Sequence, residues 1–131
     1  MALVREAQAC DVLRIVDMVE DLRTAVAGPI PVDRPWTART VAGLIASPDG
    51  IVLVSDGGFI AGSLQPTIIN PRPIAMEHGW FARDRSGLAL LRQFEGWARH
   101  HGAALIQLST GPDGLDLSRL GYRIAEKAWV K

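Results

Sequence analysis

Apolar positions change their period several times along the chain, and each change marks an element. Leu3-Val4-Arg5-Glu6-Ala7 is short and edge-like. After the polar stretch 8–11, Val12, Ile15, Val16, Val19, Leu22 and Val26 recur at helical spacing on one face. A strand and then a helix are expected, with the Asp11 carboxylate accepting from an unpaired N–H at the helix start and Gly28-Pro29 ending it. The stretch 28–35 carries too many prolines for a helix or a central strand, so it reads as an ordered loop, either a rigid connector or one side of a substrate pocket. Thr37 is the expected cap of a second, short helix that carries Val41, Leu44 and Ile45 and stops before Pro48.

Period two takes over next. Ile51-Val52-Leu53-Val54 and Phe59-Ile60-Ala61-Gly62-Ser63-Leu64 flank Ser55-Asp56-Gly57-Gly58, a hairpin signature with glycines that tolerate positive φ. Thr67-Ile68-Ile69 extends the second strand, Asn70-Pro71-Arg72-Pro73 is expected to break it, and 74–82 resumes as a third antiparallel strand. From Ser86 the helical period returns, with Leu90, Leu91, Phe94, Trp97 and Ala98 as an apolar stripe and Arg92, Glu95 and Arg99 expected to face out. His100-His101-Gly102 suits the negative, left-handed end of that helix. Ala104-Leu105-Ile106-Gln107-Leu108 reads as a buried strand, so strand, helix and strand predict a parallel crossover. A loop at 111–114, one or two helical turns in 115–120 and a last strand over 123–130 complete the chain. The expected architecture is α/β (α+β), order β-α-α-β-β-β-α-β-α-β, with a mixed, mostly antiparallel central sheet flanked by helices in a single domain over 1–131.

Composition narrows the partners. The 14 basic and 14 acidic residues cancel, so no long-range field recruits nucleic acid or an anionic membrane, and any anion site must be local. Cys10 is the sole cysteine, which excludes an intramolecular disulfide and fits a reducing compartment; a cytoplasmic protein is expected. No apolar run is long enough for a membrane span. Adjacent His100 and His101 point about a hundred degrees apart and cannot chelate one metal together. The four tryptophans lack the basic interleaving of a nucleic-acid platform.

Two features offer chemistry. The turn Arg83-Asp84-Arg85-Ser86-Gly87 opens the best helix, where free backbone N–H groups favour an anion. Glu77 lies on the strand before it, and partial burial there would raise its pKa toward that of a general base. His78 points to the opposite face if the strand is regular, so one of the two can face a cleft.

The order of elements, together with Val4-Arg5-Glu6-Ala7 before Asp11-Val12, the stretch 80–102 ending in Ala-Arg-x-x-Gly, and Leu120-Gly121-Tyr122-Arg123, resembles the GNAT superfamily of acyl-coenzyme A dependent N-acyltransferases. The spacing is most similar to its short phage-type members. The resemblance implies acetyl-CoA as cosubstrate and an amine acceptor. Pantetheine would lie along Trp80, Phe81 and Ala82, and the diphosphate on Arg83, Arg85, Ser86, Gly87, Leu88 and Ala89. Glu77 would be the catalytic base and a main-chain N–H near Phe81 the oxyanion donor. Two positions depart from the family pattern. Asp84 stands where a cation or amide is expected, which leaves it the role of helix N-cap, and Leu117 stands where many members carry a proton-donating tyrosine. Tyr122 is expected to pack. The resemblance thus implies an N-acetyltransferase, or alternatively a noncatalytic GNAT-fold protein acting as a phage or phage-like particle component or an interaction module, with a homodimer as a further option.

Overall fold

The computed structural model describes residues 3–131. Its elements are β1 (Arg5–Glu6), α1 (Val12–Ala25), α2 (Arg34–Ala46), β2 (Gly50–Val54), β3 (Gly58–Thr67), β4 (Asn70–Ala82), α3 (Gly87–His100) and β5 (Ile106–Gln107), with 3-10 turns at Ala9–Asp11 and Ser118–Leu120. The strands lie side by side in chain order, all antiparallel except the parallel pair of β4 and β5. The expected meander and crossover are therefore present. No helix among the described residues is long and apolar enough to cross a membrane.

Alternation along the strands gives the sheet two buried faces. Val52, Val54, Phe59 and Ala61 pack with Ile15 and Met18 of α1 and Val41 of α2. Ile51, Leu53, Ile60 and Ala75 pack with Leu90, Leu91, Phe94 and Ala98 of α3. Gly62 is what lets Phe94 reach the sheet, since a Cβ there would sit 2.4 Å from the Phe94 ring. Truncating a ring so enclosed costs about 3–5 kcal/mol.

Several local expectations are corrected. Asp11 stands at the N-cap position of α1, but its carboxylate accepts from no N–H of that helix; it accepts from Gln8 N–H at 2.8 Å within the preceding 3-10 turn, from both arms of Arg5 at 2.8 and 2.9 Å, and from Arg14 at 3.2 Å. The Arg5 guanidinium, with Gln8 N–H and Arg14, holds this buried carboxyl well below the usual range even though burial opposes it. Thr37 lies inside α2, and Asp33 is the cap, accepting from Trp36 N–H at 3.0 Å with Pro35 in the first turn, where a missing N–H costs nothing. Asn70-Pro71-Arg72-Pro73 is not the break between the strands but the start of β4, because the turn falls at Ile68 and Ile69 and Thr67 already pairs with Asn70. The prolines are tolerated near an edge that β5 barely covers. Neither Gly57 nor Gly58 has a left-handed backbone. They serve close approach instead: a Cβ on Gly57 would lie 3.0 Å from Asp84 Cβ, and one on Gly58 2.8 Å from Ser86 Oγ. Glu95 does not face out but is buried, accepting from the Tyr122 hydroxyl at 2.7 Å and from Arg92 at 3.1 Å. Finally, 115–120 forms one 3-10 turn, and among the described residues 123–130 hold no strand. A strand needs a ladder to join, and β5, with two paired residues, presents almost none.

Candidate functional site

The two parallel strands part just past their pairing. Ala75 opposes Ile106 and Met76 opposes Gln107, and there the ladder stops. On the other side of β4 the register slips: Gly79 pairs with Ala61 but Glu77 pairs with Gly62, so His78 is an extra residue, a β-bulge. The regular alternation assumed from sequence is interrupted here, and the two side chains go to separate partners. Glu77 Oε1 accepts from the Ser109 N–H at 2.9 Å, bridging the opening between β4 and the chain after β5. Burial raises the Glu77 carboxyl above its ordinary value, and the Ser109 N–H offsets part of that rise. His78 Nε2 lies 2.7 Å from Ser63 Oγ, and partial burial lowers its imidazole.

The turn after β4 is organised by Asp84. Its carboxylate accepts from Ser55 O–H at 2.8 Å, Gly57 N–H at 2.8 Å and Ser86 N–H at 3.2 Å, and from the Ser86 hydroxyl. Desolvation alone would raise this carboxyl; the two serine hydroxyls and two N–H groups outweigh it and hold the group well below its usual range. The side chain therefore points into the β2–β3 turn. The N-cap position of α3 belongs to Ser86.

The two arginines of the turn diverge. Arg83 donates to Asp21 of α1 at 2.8 Å and lies over the Phe81 ring at 5.6 Å, whereas Arg85, with φ of 65°, is exposed. Trp80 Nε1 donates to the Gly87 carbonyl at 3.1 Å and fixes the first turn of the helix. The first acceptor used inside the helix is Ser86 O, from Leu90 N–H at 2.9 Å, so Gly87, Leu88 and Ala89 present N–H groups with no acceptor among the described residues. Along β4, Arg83 N–H donates to Gly57 O at 2.9 Å. An antiparallel ladder alternates by two, so Phe81, opposite Phe59, also turns its N–H toward β3, and Trp80 and Ala82 turn theirs toward the opening.

The structure thus brings Glu77, Trp80, Ala82 and 87–89 to one side of the splayed pair, buries Ser86 with its N–H and hydroxyl bonded to Asp84, and draws Arg83 toward α1. Sequence reasoning missed Ser109, Ser55 and Gly57, which hold the two carboxylates. Each pairs across a separation of 27 to 32 residues, for which no local pattern exists. Two cavities of about 420 Å³ lie on the α1 side of the sheet. One is polar, between Arg14, Asp17, Asp21, Asp56 and Arg83. The other is apolar, between α1, the 26–33 loop and α2.

No family model matches the sequence, and no curated protein does. Solved structures do match. A candidate acetyltransferase from Arthrobacter sp. FB24 is 26% identical, with 92% of this chain and 82% of that one covered at a TM-score of 0.71. An acetyltransferase, so named by prediction, from Clostridium acetobutylicum and determined with acetyl-CoA is 14% identical, covering 100% and 95% at 0.81. A transcriptional regulator from Bacillus halodurans C-125 is 19% identical, covering 100% and 99% at 0.78. The mixed sheet and its flanking helices thus match these molecules over 92–100% of this chain. The chain has the GNAT fold.

Proposed function

We propose that the protein is a cytoplasmic N-acetyltransferase that takes acetyl-CoA as cosubstrate and an amine as acceptor, with Glu77 as general base. The observation that carries this reading is the placement of Glu77: a desolvated carboxylate bridging the opening between β4 and the chain after β5, with a single N–H as its hydrogen-bond partner. A carboxylate whose charged form is disfavoured binds a proton more strongly than a solvated one, as a general base requires.

The residues present fit the cosubstrate. Gly87, Leu88 and Ala89 offer unpaired N–H groups at the positive end of a 14-residue helix, as a diphosphate requires. Asp84 spends its charge on two donors of the β2–β3 turn and on the N–H and hydroxyl of Ser86. Arg85 has no ion-pair partner among the described residues, and the N–H groups of Trp80 and Ala82 would hydrogen-bond the pantetheine arm or the developing oxyanion. Acetyl-CoA supplies the thioester carbonyl. At that carbon the acceptor nitrogen forms the C–N bond as the C–S bond breaks, and Glu77 takes the proton that the nitrogen sheds. Leu117 has no proton to return to the thiolate. Tyr122 is unsuited as well, because burial and its bond to the Glu95 carboxylate push its hydroxyl far above the usual phenol range. Solvent water is then the proton source for the leaving thiolate.

A second reading, a noncatalytic GNAT-fold protein of a phage-like particle or an interaction module, is favoured by one observation: Asp84 keeps a full negative charge beside the phosphate cradle while Leu117 replaces the acid. Thermal denaturation with acetyl-CoA separates the two readings, since a ligand that binds only the folded chain raises the melting temperature. A rise that saturates supports the enzyme; no shift at millimolar acetyl-CoA overturns it.

A further inference from the structure

The segment 123–131 is rooted on the same face of the sheet as Glu77. Gly62 of β3 pairs with Glu77, and a Cβ on Gly62 would meet the Phe94 ring at 2.4 Å, so the register turns Glu77 toward α3. Glu95, the next residue of α3, accepts from the Tyr122 hydroxyl at 2.7 Å, and Tyr122 packs against the α3 side of the core. Beyond Tyr122 little holds the chain. Ile124 is 84% and Trp129 88% exposed, and no residue of 123–131 joins a strand. Among the described residues, one hydrogen bond ties the segment to the rest, from Gln107 Nε2 to Glu126 Oε1 at 3.2 Å. That bond brings it beside the opening, because Gln107 is the last residue of β5 paired with β4, and Ser109, the partner of Glu77, follows shortly after.

The distribution of basic residues supplies the chemistry. Of the 14, only Lys127 and Lys131 are lysines, so every lysine amine of the sequence lies in this loosely held segment. Arginine is no substitute, since its guanidinium stays protonated and cannot attack a carbonyl. Neither lysine has an ion-pair partner among the described residues. Lys127 stands five residues past Tyr122, a span of up to about 17 Å when extended. So short a tether holds its amine near the opening at an effective concentration on the order of millimolar, and Lys131, on a longer one, meets the site less often. Resting on the acetyltransferase reading above, we propose that the protein acetylates its own Lys127 within one chain. The unprotonated Lys127 Nζ attacks the thioester carbon of acetyl-CoA, and the C–N bond forms as the C–S bond breaks. Glu77 takes the proton that the nitrogen sheds, and the departing thiolate takes one from water. The products are coenzyme A and an Nε-acetylated Lys127 that has lost its positive charge.

The test incubates the full chain with acetyl-CoA and no added amine, and locates acetyl groups by peptide mass spectrometry. Label at Lys127 is expected, at a rate per chain that stays constant as the protein is diluted about tenfold, because the step is intramolecular. Lys127→Arg should abolish the label. Glu77→Gln should slow it by about 10²-fold or more, which separates the enzymatic step from uncatalysed acetylation of an exposed amine. Label at Lys131 alone, a rate per chain that falls on dilution, or a rate that Glu77→Gln changes by less than about twofold overturns the self-acetylation of Lys127. Absence of label while acetyl-CoA still raises the melting temperature also overturns it, and the acetyltransferase reading then stands. Absence of label together with no shift in melting temperature overturns both.

Discussion

Glu77 and Asp84 are two carboxylates on one stretch of chain, one in β4 and one in the turn that follows, and the fold treats them in opposite ways. Glu77 loses water and receives one N–H in return, so its charged form is disfavoured. Asp84 also loses water but receives two hydroxyls and two N–H groups, so its charged form is strongly favoured. The donors that each meets, set against its loss of water, decide which is available for proton transfer and which is structural.

Exchanging these roles should have effects of graded size. Glu77→Gln keeps an acceptor for Ser109 N–H and removes the base, so the acetylation rate should fall about 10²–10⁴-fold, while the melting temperature at pH 7 is not lowered. A rate within a factor of two of the parent would remove Glu77 from the mechanism. Asp84→Ala should do the reverse. Its four donors lose their acceptor, part of which water restores at this partly exposed site, and urea denaturation should report a loss of about 2 kcal/mol. Asp84→Asn retains an acceptor and sheds the charge, so it should tighten acetyl-CoA binding relative to the parent.

Tyr122 is a control on the same comparison. Tyr122→Phe removes one bond to the Glu95 carboxylate and should cost about 1–1.5 kcal/mol of stability with no loss of kcat; a large fall in kcat would make Tyr122 the missing acid. The smallest effect concerns acid. Because the folded Asp84 carboxyl is lowered, its stabilisation is complete above the ordinary value of 3.8 and drains away as pH falls below it. The raised Glu77 works the other way, and its ionisation costs stability as pH climbs past its ordinary 4.5. Melting temperatures from pH 3 to pH 7 should therefore fall more steeply with acid in the parent than in Asp84→Asn.

How far this could be read in advance follows from the range over which each cause acts. The helices, the hairpin and the stretch from β4 to α3 depend on local period, and they occur in the expected order, although α2 opens at Arg34 ahead of the expected cap Thr37 and β4 already at Asn70. The turn at Asn70-Pro71-Arg72-Pro73 was misread because proline penalises a strand only where its N–H would be used, and β5 scarcely covers that edge. Residues 123–130 have strand-like composition but no ladder to join. At the site, the identities of Glu77 and Asp84 were legible and their orientations were not. Ser109, Ser55 and Gly57 reach them from distant parts of the chain, and the bulge at His78 removes the alternation from which a facing could be counted.

The account rests on opposite titration of the two carboxylates, and carbon-detected NMR of the side-chain carboxyls through a pH series measures both in one sample. Glu77 should titrate above 4.5 and Asp84 below 3.8, with Glu77→Gln and Asp84→Asn assigning the two signals. Glu77 titrating at or below its ordinary value, with Asp84 at or above its own, would contradict the division of labour between base and brace.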